Sequence, residues 1–327
     1  MAFLLNFVWS QLFTTPVYPT QSYEGKTVIV TGSNVGLGLE AARHFARLGA
    51  EKVILAVRSV EKGEAAKSSI IASTSRPSSA VGVWQLDLSS YESVKQFAQR
   101  VQALPRLDAI VENAGIATPT FTMAEENEST ITTNVVSTFL LALLILPKLR
   151  ETATRFNTLP HLVIVSSEVH FFTTFSERNQ DSIFDTLNAK ETANMEDRYN
   201  LSKLLEVLAV REISSQTSSS SKPPVVINVL NPGLCHSALT RDLTGLRGYM
   251  IGAMKAVLAR TTEVGSRTLV ASVDAGEESH GQYMSDGIVS SPSPLVRSDD
   301  GAKAQKKVWA ELSQKLENIQ PGILRNI

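Results

Sequence analysis

KTVIVTGSNVGLGLEAARHFARLGA, residues 26–50, decides the fold. Lys26–Gly32 is an apolar, β-branched run that ends in glycine, the pattern of a buried strand. From Val35 to Leu48 the apolar residues recur at helical spacing, and Gly49 stops the helix. Gly32, Gly36 and Gly38 lie between the two. Glycine permits a tight turn and lets main-chain N–H groups approach a pyrophosphate at the helix N-terminus. The spacing is GxxxGxG rather than GxGxxG, and a glycine cluster of this kind also occurs as a plain turn.

Working outward, strands are predicted at Lys52–Val57, Val81–Leu88, Leu107–Gly115, His161–Ser167 and Pro224–Gly233, with a last one near Gln282–Met284. Helices are predicted at Ser90–Ala103, with Ser89 or Ser90 as N-cap, at Glu125–Leu149 with a break near Pro147, and at Asp197–Ile213. Near-continuous apolar strands alternating with helices predict an α/β fold: a doubly wound parallel sheet of about seven strands, covered on both faces, in a single domain. Ser214–Pro224 is low in complexity and reads as a solvated loop. Thr173–Arg198 is too long for an empty loop, so it is expected to carry a short helix and to wall the site.

The chain has 327 residues, 43% hydrophobic, and a net charge of −1. That composition is globular, and the absence of a basic stripe argues against nucleic acid. Cys235 is the only cysteine, so an intramolecular disulfide is excluded and an intracellular setting is expected, cytoplasmic or peripherally membrane-associated. The histidines lack ligand spacing, and no metal is predicted. MAFLLNFVWSQLF at residues 1–13 is too short to span a bilayer and lacks a basic leader. As a helix it has Asn6 and Ser10 on a narrow polar stripe. Two readings stay open: a segment packed on its own domain, or an interfacial helix on a membrane.

Tyr199 and Lys203 sit four apart in RYNLSK, one helical turn, so both project from one face. An ammonium beside a phenol favours phenolate and lowers its pKa from about 10, giving a proton donor and acceptor nearer neutrality.

TGSNVGLG (31–38), NAG (113–115), Ser167 after the fifth strand, YNLSK (199–203) and NPG (231–233) occur in order. Together they resemble the short-chain dehydrogenase/reductase family over residues 25–283. GSNVGLGLEAARHFARLGA and ILAVRSVEKGEAA look like its retinol-dehydrogenase-like branch, which includes fungal homologues. The resemblance implies a Rossmann-like sheet. It makes Tyr199 the general acid, Lys203 the residue that tunes it and holds the nicotinamide ribose, and Ser167, rather than Ser166, the hydrogen-bond donor to the substrate carbonyl. Asn134 would hold a water linking Lys203 to solvent. Cofactor contacts are implied at Gly32, Ser33, Asn34, Gly36, Leu37, Gly38, Asp87, Leu88, Asn113, Ala114, Gly115, Tyr199, Lys203, Pro232, Gly233 and Ser237. Glu112 stands where the family often has a first asparagine.

Arg58 follows the second strand where an NAD site would carry an acid, and a guanidinium suits a 2′-phosphate, so NADP(H) is expected. The division implied is an apolar segment at 1–24, the catalytic domain at 25–290 with a substrate lid near 234–260, and a C-terminal extension with a helix at 291–327. Thr240–Arg260 reads either as that lid or as a buried core helix. His170 reads as a substrate contact or a structural loop residue, and Phe171 and Phe172 as pocket wall or packing. A catalytic pair of Cys235 and His236 is not expected, because adjacent side chains point apart. The expected function is NADP(H)-dependent interconversion of a carbonyl and an alcohol on a lipophilic molecule of polyketide, terpenoid, steroid or retinoid type, within secondary metabolism. The alternatives are a non-redox isomerase, dehydratase or cyclase, or a cofactor-binding regulator. Many relatives form homodimers through the tyrosine-bearing helix and the long helix before it.

Overall fold

In the computed structural model, which describes residues 2–237, 239 and 245–327, the apolar runs line up as one sheet. The chain opens with α1 (Ala2–Phe13), then β1 (Thr27–Thr31), α2 (Gly36–Arg47), β2 (Lys52–Val57), α3 (Val60–Thr74), β3 (Val81–Gln85), α4 (Tyr91–Gln102) and β4 (Ala109–Glu112). A small hairpin, β5 (Met123–Ala124) and β6 (Asn127–Glu128), leads into α5 (Ser129–Ile131), a π turn at Thr132–Val136 and α6 (Ser137–Phe156). Then come β7 (His161–Val165), α7 (Ile183–Asn188), α8 (Met195–Ser218), β8 (Val226–Asn231), α9 (Gly245–Leu258), α10 (Thr262–Asp274), β9 (Tyr283–Ser285), β10 (Ile288–Ser290) and α11 (Asp299–Ile319).

The strand order is β10-β9-β8-β7-β4-β1-β2-β3. Neighbours are parallel except β9 and β10, so the expected parallel sheet gains an eighth, antiparallel edge strand. That hairpin closes through Asp286 and Gly287, both at positive φ, a Asp-Gly turn signal that the short, exposed β10 had hidden. One face of the sheet packs on α4, α6 and α8, the other on α2, α3 and α10. The chain leaves β1 toward β2 and returns from β3 to β4, so the strand order reverses at β1. Doubly wound sheets bind ligands in the crevice at the carboxyl ends of the strands that flank such a reversal, here β1 and β4.

Several expected boundaries move, each for a local reason. The long helix starts at Ser129, not Glu125, because Glu125 takes a positive φ in the hairpin and the Glu128 carboxylate accepts from the Thr130 and Ile131 N–H groups. It is not broken at Pro147. The carbonyl of Leu143 that Pro147 leaves without a donor accepts instead from the Asn326 amide, at 3.0 Å. Residues 129–156 are long and apolar enough to cross a membrane, yet 89% of their most apolar window is buried inside the fold. Helix α8 runs to Ser218 and takes up part of the serine-rich stretch read as a loop. Thr217 and Ser218 donate to the carbonyls of Ile213 and Ser214 four residues back, so these polar side chains are satisfied within the helix. The long stretch after β7 does carry a short helix, α7, capped by Ser182.

Helix α1 is inverted. Gln11 is buried, while Leu5, Trp9, Leu12 and Phe13 are 50–66% exposed. Gln11 donates to the carbonyls of Leu234 and Leu258 and accepts from the Leu234 N–H. Arg260 donates to the carbonyls of Ser10 and Thr14 and pairs with Asp286 at 2.6 Å. The helix does pack on its own chain, through Ser10 and Gln11, with Leu5, Val8, Trp9, Leu12 and Phe13 facing out. Asn6 is exposed with that outer face. Of the expected lid, residues 238 and 240–244 lie outside the described residues.

Candidate active site

The glycine turn is clamped from below by the motif at 113–115. Thr31 Oγ1 accepts from the N–H groups of both Asn113 and Ala114, and the Asn113 amide donates to the Thr31 carbonyl at 2.9 Å. A Cβ added to Gly32 would lie 2.9 Å from Ala114 Cα, and one on Gly38 2.5 Å from Asn113 Nδ2. Gly36, at φ +68, has open space around it. Ser33 is buried, and its hydroxyl donates to the Val30 carbonyl, which leaves its main chain for a ligand. Val35 provides no side-chain cap for α2. The first N–H groups of that helix are thus free of a side-chain partner, beside glycines and next to Asn34 and Leu37: a cradle that fits a pyrophosphate.

Tyr199, Lys203 and Ser167 come together past the carboxyl ends of β4 and β7. The Ser167 hydroxyl hydrogen-bonds Tyr199. Lys203 Nζ lies 5.7 Å from the Tyr199 ring centre and donates to the Val165 carbonyl at 2.9 Å. Ser166 is committed elsewhere: its hydroxyl is buried and donates to the Lys203 carbonyl, tying β7 to α8. That leaves Ser167 as the serine facing the crevice. Asn134 is fully buried in the π turn, accepting from the Ile116 N–H and donating to the Ile116 carbonyl and to Ser202. A Cβ on Gly115 would sit 3.1 Å from Asn134 Oδ1 and 3.7 Å from Lys203 Nζ, so only glycine lets these groups gather. A π turn in a long helix is a common mark of a functional position.

The expected lowering of the tyrosine is not what this environment produces. Burial raises Tyr199 above its ordinary value, Lys203 and the Ser167 hydrogen bond pull down, and Glu206 pushes up. Burial works against the Lys203 charge too, but Glu206 and Tyr199 outweigh it and hold the ammonium firmly protonated.

Arg58 is exposed at the end of β2 and has no ion pair among the described residues. Asp87 is half-buried, its carboxylate accepting from the N–H and hydroxyl of Ser89, with Leu88 in the core beside it. Pro232 and Gly233 follow β8, where the Asn231 amide oxygen accepts from the Gly233 and Glu168 N–H groups. Ser237 is half-buried, with its carbonyl held by Lys255. His170 is structural: Nδ1 donates to the Ser167 carbonyl and Nε2 accepts from the Ser293 N–H, so the ring props the serine loop. Burial pushes it down to about 4. Phe172 is exposed. The Cys235 thiol is buried and pushed up to about 12 by burial, an unreactive state, and His236 is exposed.

Two acidic residues of this site were given no role from sequence: Glu206 was not singled out, and Glu112 was noted only as a replacement for an asparagine. Glu206 pairs with Lys203 at 2.8 Å, and both are buried. Its spacing, three residues on along the same helix, was a visible signal. Glu112, at the end of β4, is buried behind it without a hydrogen-bond partner. Only the packing of β4 under α8 brings those two carboxyl groups near each other.

A doubly wound sheet with a glycine cradle at its switch point and a Tyr–Lys–Ser cluster beside it is an arrangement suited to nicotinamide-dependent oxidoreduction. A model of the short chain dehydrogenase family matches residues 26–171. Over 327 residues, 98% of this chain and 100% of the relative, the sequence is 52% identical to the short chain dehydrogenase/reductase dmxR8 of Cryptosporiopsis sp.. It is 43% identical to the short-chain dehydrogenase anuD of Penicillium roqueforti, covering 98% of this chain and 84% of that one. The crystal structure of an E. coli oxidoreductase, yciK, superposes with a TM-score of 0.60 at 25% identity, covering 82% of this chain and 98% of that one. This chain belongs to the short-chain dehydrogenase/reductase family.

Proposed function

We propose that the protein is an NADPH-dependent reductase of a ketone or aldehyde on a lipophilic small molecule, with Tyr199 as proton donor. The observation that carries this reading is the gathering of Tyr199, Ser167 and Lys203 at the mouth of the switch-point crevice, next to the cradle at the start of α2. When bound, the cofactor supplies the hydride. Ser167 holds the carbonyl oxygen and stabilises the charge that develops on it. Tyr199 gives its phenolic proton to that oxygen, and Lys203, charged and held by the Val165 carbonyl, stabilises the phenolate left behind. Arg58, exposed and without an ion pair among the described residues, would meet a 2′-phosphate through charge-assisted hydrogen bonds.

The reading of a lipophilic substrate is supported by exposed carbon in the stretch expected to be the lid, at Tyr249, Met254 and Val257 of α9, and at Phe172. A polyketide- or terpenoid-like ketone of secondary metabolism fits that surface. The outward face of α1 supports a further part of the reading, a resting place on a lipid surface. No charged residue occurs before Glu24, so this face offers a charged partner nothing to read. Twelve residues of helix reach about 18 Å, enough to lie in the interface but not to span it. Pairing of two copies through α6 and α8 would require α11 to move, since Gln305 and Lys306 of α11 bind Arg211 and Glu212 of α8.

NADPH consumption, with product mass, over a panel of lipophilic ketones and aldehydes tests the reading. Turnover should gain two hydrogens in the product and fall about 10³-fold in Tyr199→Phe. A product of unchanged mass would move the protein to the isomerase class. Arg58→Asp should weaken NADPH far more than NADH, and equal weakening would overturn the 2′-phosphate contact.

A further inference from the structure

The reductase reading leaves two buried carboxyl groups without a task, Glu206 and Glu112. An ammonium has three N–H donors. Lys203 spends one on the Val165 carbonyl at 2.9 Å and one on Glu206 Oε1 at 2.8 Å, which leaves one for the crevice. Glu206 is 2% exposed and Lys203 5%, so solvent does little to screen the pair. Glu206 Oε2 and both Glu112 oxygens have no hydrogen-bond partner. A buried, ionised carboxylate without donors is strongly disfavoured, so Glu112 holds its proton beside an ionised Glu206. The cluster is then neutral overall: one ammonium, one carboxylate, one carboxylic acid and one phenol.

A lone ammonium beside a phenol pulls strongly toward phenolate. An ammonium already paired with a carboxylate presents a dipole, whose field at the phenol is much weaker. We propose that Glu206 is a positioning residue that, paired with Lys203 and backed by Glu112, screens the lysine from Tyr199 and keeps the tyrosine hydroxyl protonated, so that the site favours carbonyl reduction over alcohol oxidation. The inference rests on the reductase reading and adds a direction to it. The only proton at issue is the phenol's, which passes to the substrate oxygen in reduction and returns in oxidation. Burial is the main cause of the upward shift of Tyr199, and Glu206 adds to it against the pull of Lys203.

Few other charges bear on the cluster. Tyr199 and Lys203 face Glu206 from its own helix, and Glu112 faces it from β4. From β7, Ser166 does not titrate, and its hydroxyl is held by the Lys203 carbonyl. The turn at Glu168–Phe171 brings Glu168 and His170, but Glu168 acts on Asp286 and Arg260, and His170 is engaged by Ser167 and Ser293. Arg198 pairs with Glu128 at the start of α8, and Lys306 of α11 pairs with Glu212 further along. The π turn and β8 contain no titratable side chain.

The test compares the full chain with Glu206→Gln, a near-isosteric change, and with Glu206→Asp, which keeps the charge. The first readout is the pH profile of NADPH-dependent reduction and of the reverse oxidation. In Glu206→Gln the alkaline limb of reduction and the rising limb of oxidation should both move about one pH unit toward acid, a roughly tenfold change in the ratio of the two rates near neutrality. Glu206→Asp should restore most of the shift. The second readout needs no turnover: ultraviolet titration of tyrosinate, in which the Tyr199 contribution is isolated by difference from Tyr199→Phe. That contribution should appear at lower pH in Glu206→Gln. A uniform loss of rate with unmoved limbs, or an unmoved tyrosinate titration, would overturn the proposal and leave Glu206 a packing residue. If no carbonyl is reduced by any form, the reductase reading fails, and the tyrosinate difference still decides the role of Glu206.

Discussion

Helices α8 and α1 depart from the usual partition of side chains in opposite directions. Helix α8 carries Arg198, Lys203, Glu206 and Glu212 into the interior, whereas α1 turns Leu5, Trp9, Leu12 and Phe13 toward solvent. In α8 the buried charges have opposite partners: Arg198 with Glu128, Lys203 with Glu206, and Glu212 with Lys306. In α1 the side chains that hydrogen-bond the fold are polar, and Leu5, Trp9, Leu12 and Phe13 stand half or more in solvent. A buried ion pair is tolerated only when its geometry replaces what water gave up, and it is then sensitive to the loss of either member. Exposed carbon costs the folded chain little, so its place is open to a surface outside the chain.

Breaking α8 should therefore have the largest effect on stability. Lys203→Met strands Glu206 and should lower unfolding free energy in urea by about 3–5 kcal/mol. Glu206 already sits at about 7, raised by burial against the pull of Lys203, so the loss should be larger at pH 8 than at pH 6, where the carboxyl protonates. An equal loss at both pH values would mean that Glu206 is not the stranded group.

His170 extends the comparison to a buried polar group that has hydrogen bonds but no counter-charge. Burial holds it at about 4, below its unfolded value near 6.5. Its folded form resists protonation, so the stability it contributes is present above pH 6.5 and is lost as pH falls toward 4. The span corresponds to about 3 kcal/mol at most. Unfolding midpoints followed from pH 7 to 4 should fall more steeply for wild type than for His170→Asn, and parallel curves would refute the assignment.

The smallest effect on folding is expected from α1. Serine at Trp9, Leu12 and Phe13 should each change unfolding free energy by no more than about 0.5 kcal/mol. The same triple variant should lose flotation with phosphatidylcholine vesicles that the parent shows. A parent that does not float, or a variant that floats equally well, would remove the lipid surface from the proposed function and leave α1 as a clip on the NPG turn.

Much of the chemistry could be read without coordinates because it depends on short spacings. Gly32, Gly36 and Gly38 sit between a strand and a helix, and Tyr199 and Lys203 sit one turn apart, whatever the rest of the chain does. Glu206 was within the same reach, since three residues along a helix also share a face. Glu112 was not, because its approach to Glu206 depends on how β4 lies under α8. The family pattern already preferred Ser167 to Ser166, and one long-range bond, from Ser166 to the Lys203 carbonyl, occupies the first serine.

The sequence by itself determined the alternation of strands and helices, the glycine turn, the one-turn spacing of Tyr199 and Lys203 and the family, because periodicity and local motifs need only neighbours along the chain. Only the tertiary structure decided which side of α1 faces inward, how Pro147 is accommodated and what surrounds the Tyr199 phenol. Each of these depends on a partner more than sixty residues away or on burial: Leu234 and Leu258 for Gln11, Asn326 for Leu143, the buried Glu112 beside Glu206 for the active-site charge. A side chain's protonation state follows its desolvation and its neighbours, and both are properties of the packed molecule rather than of the chain.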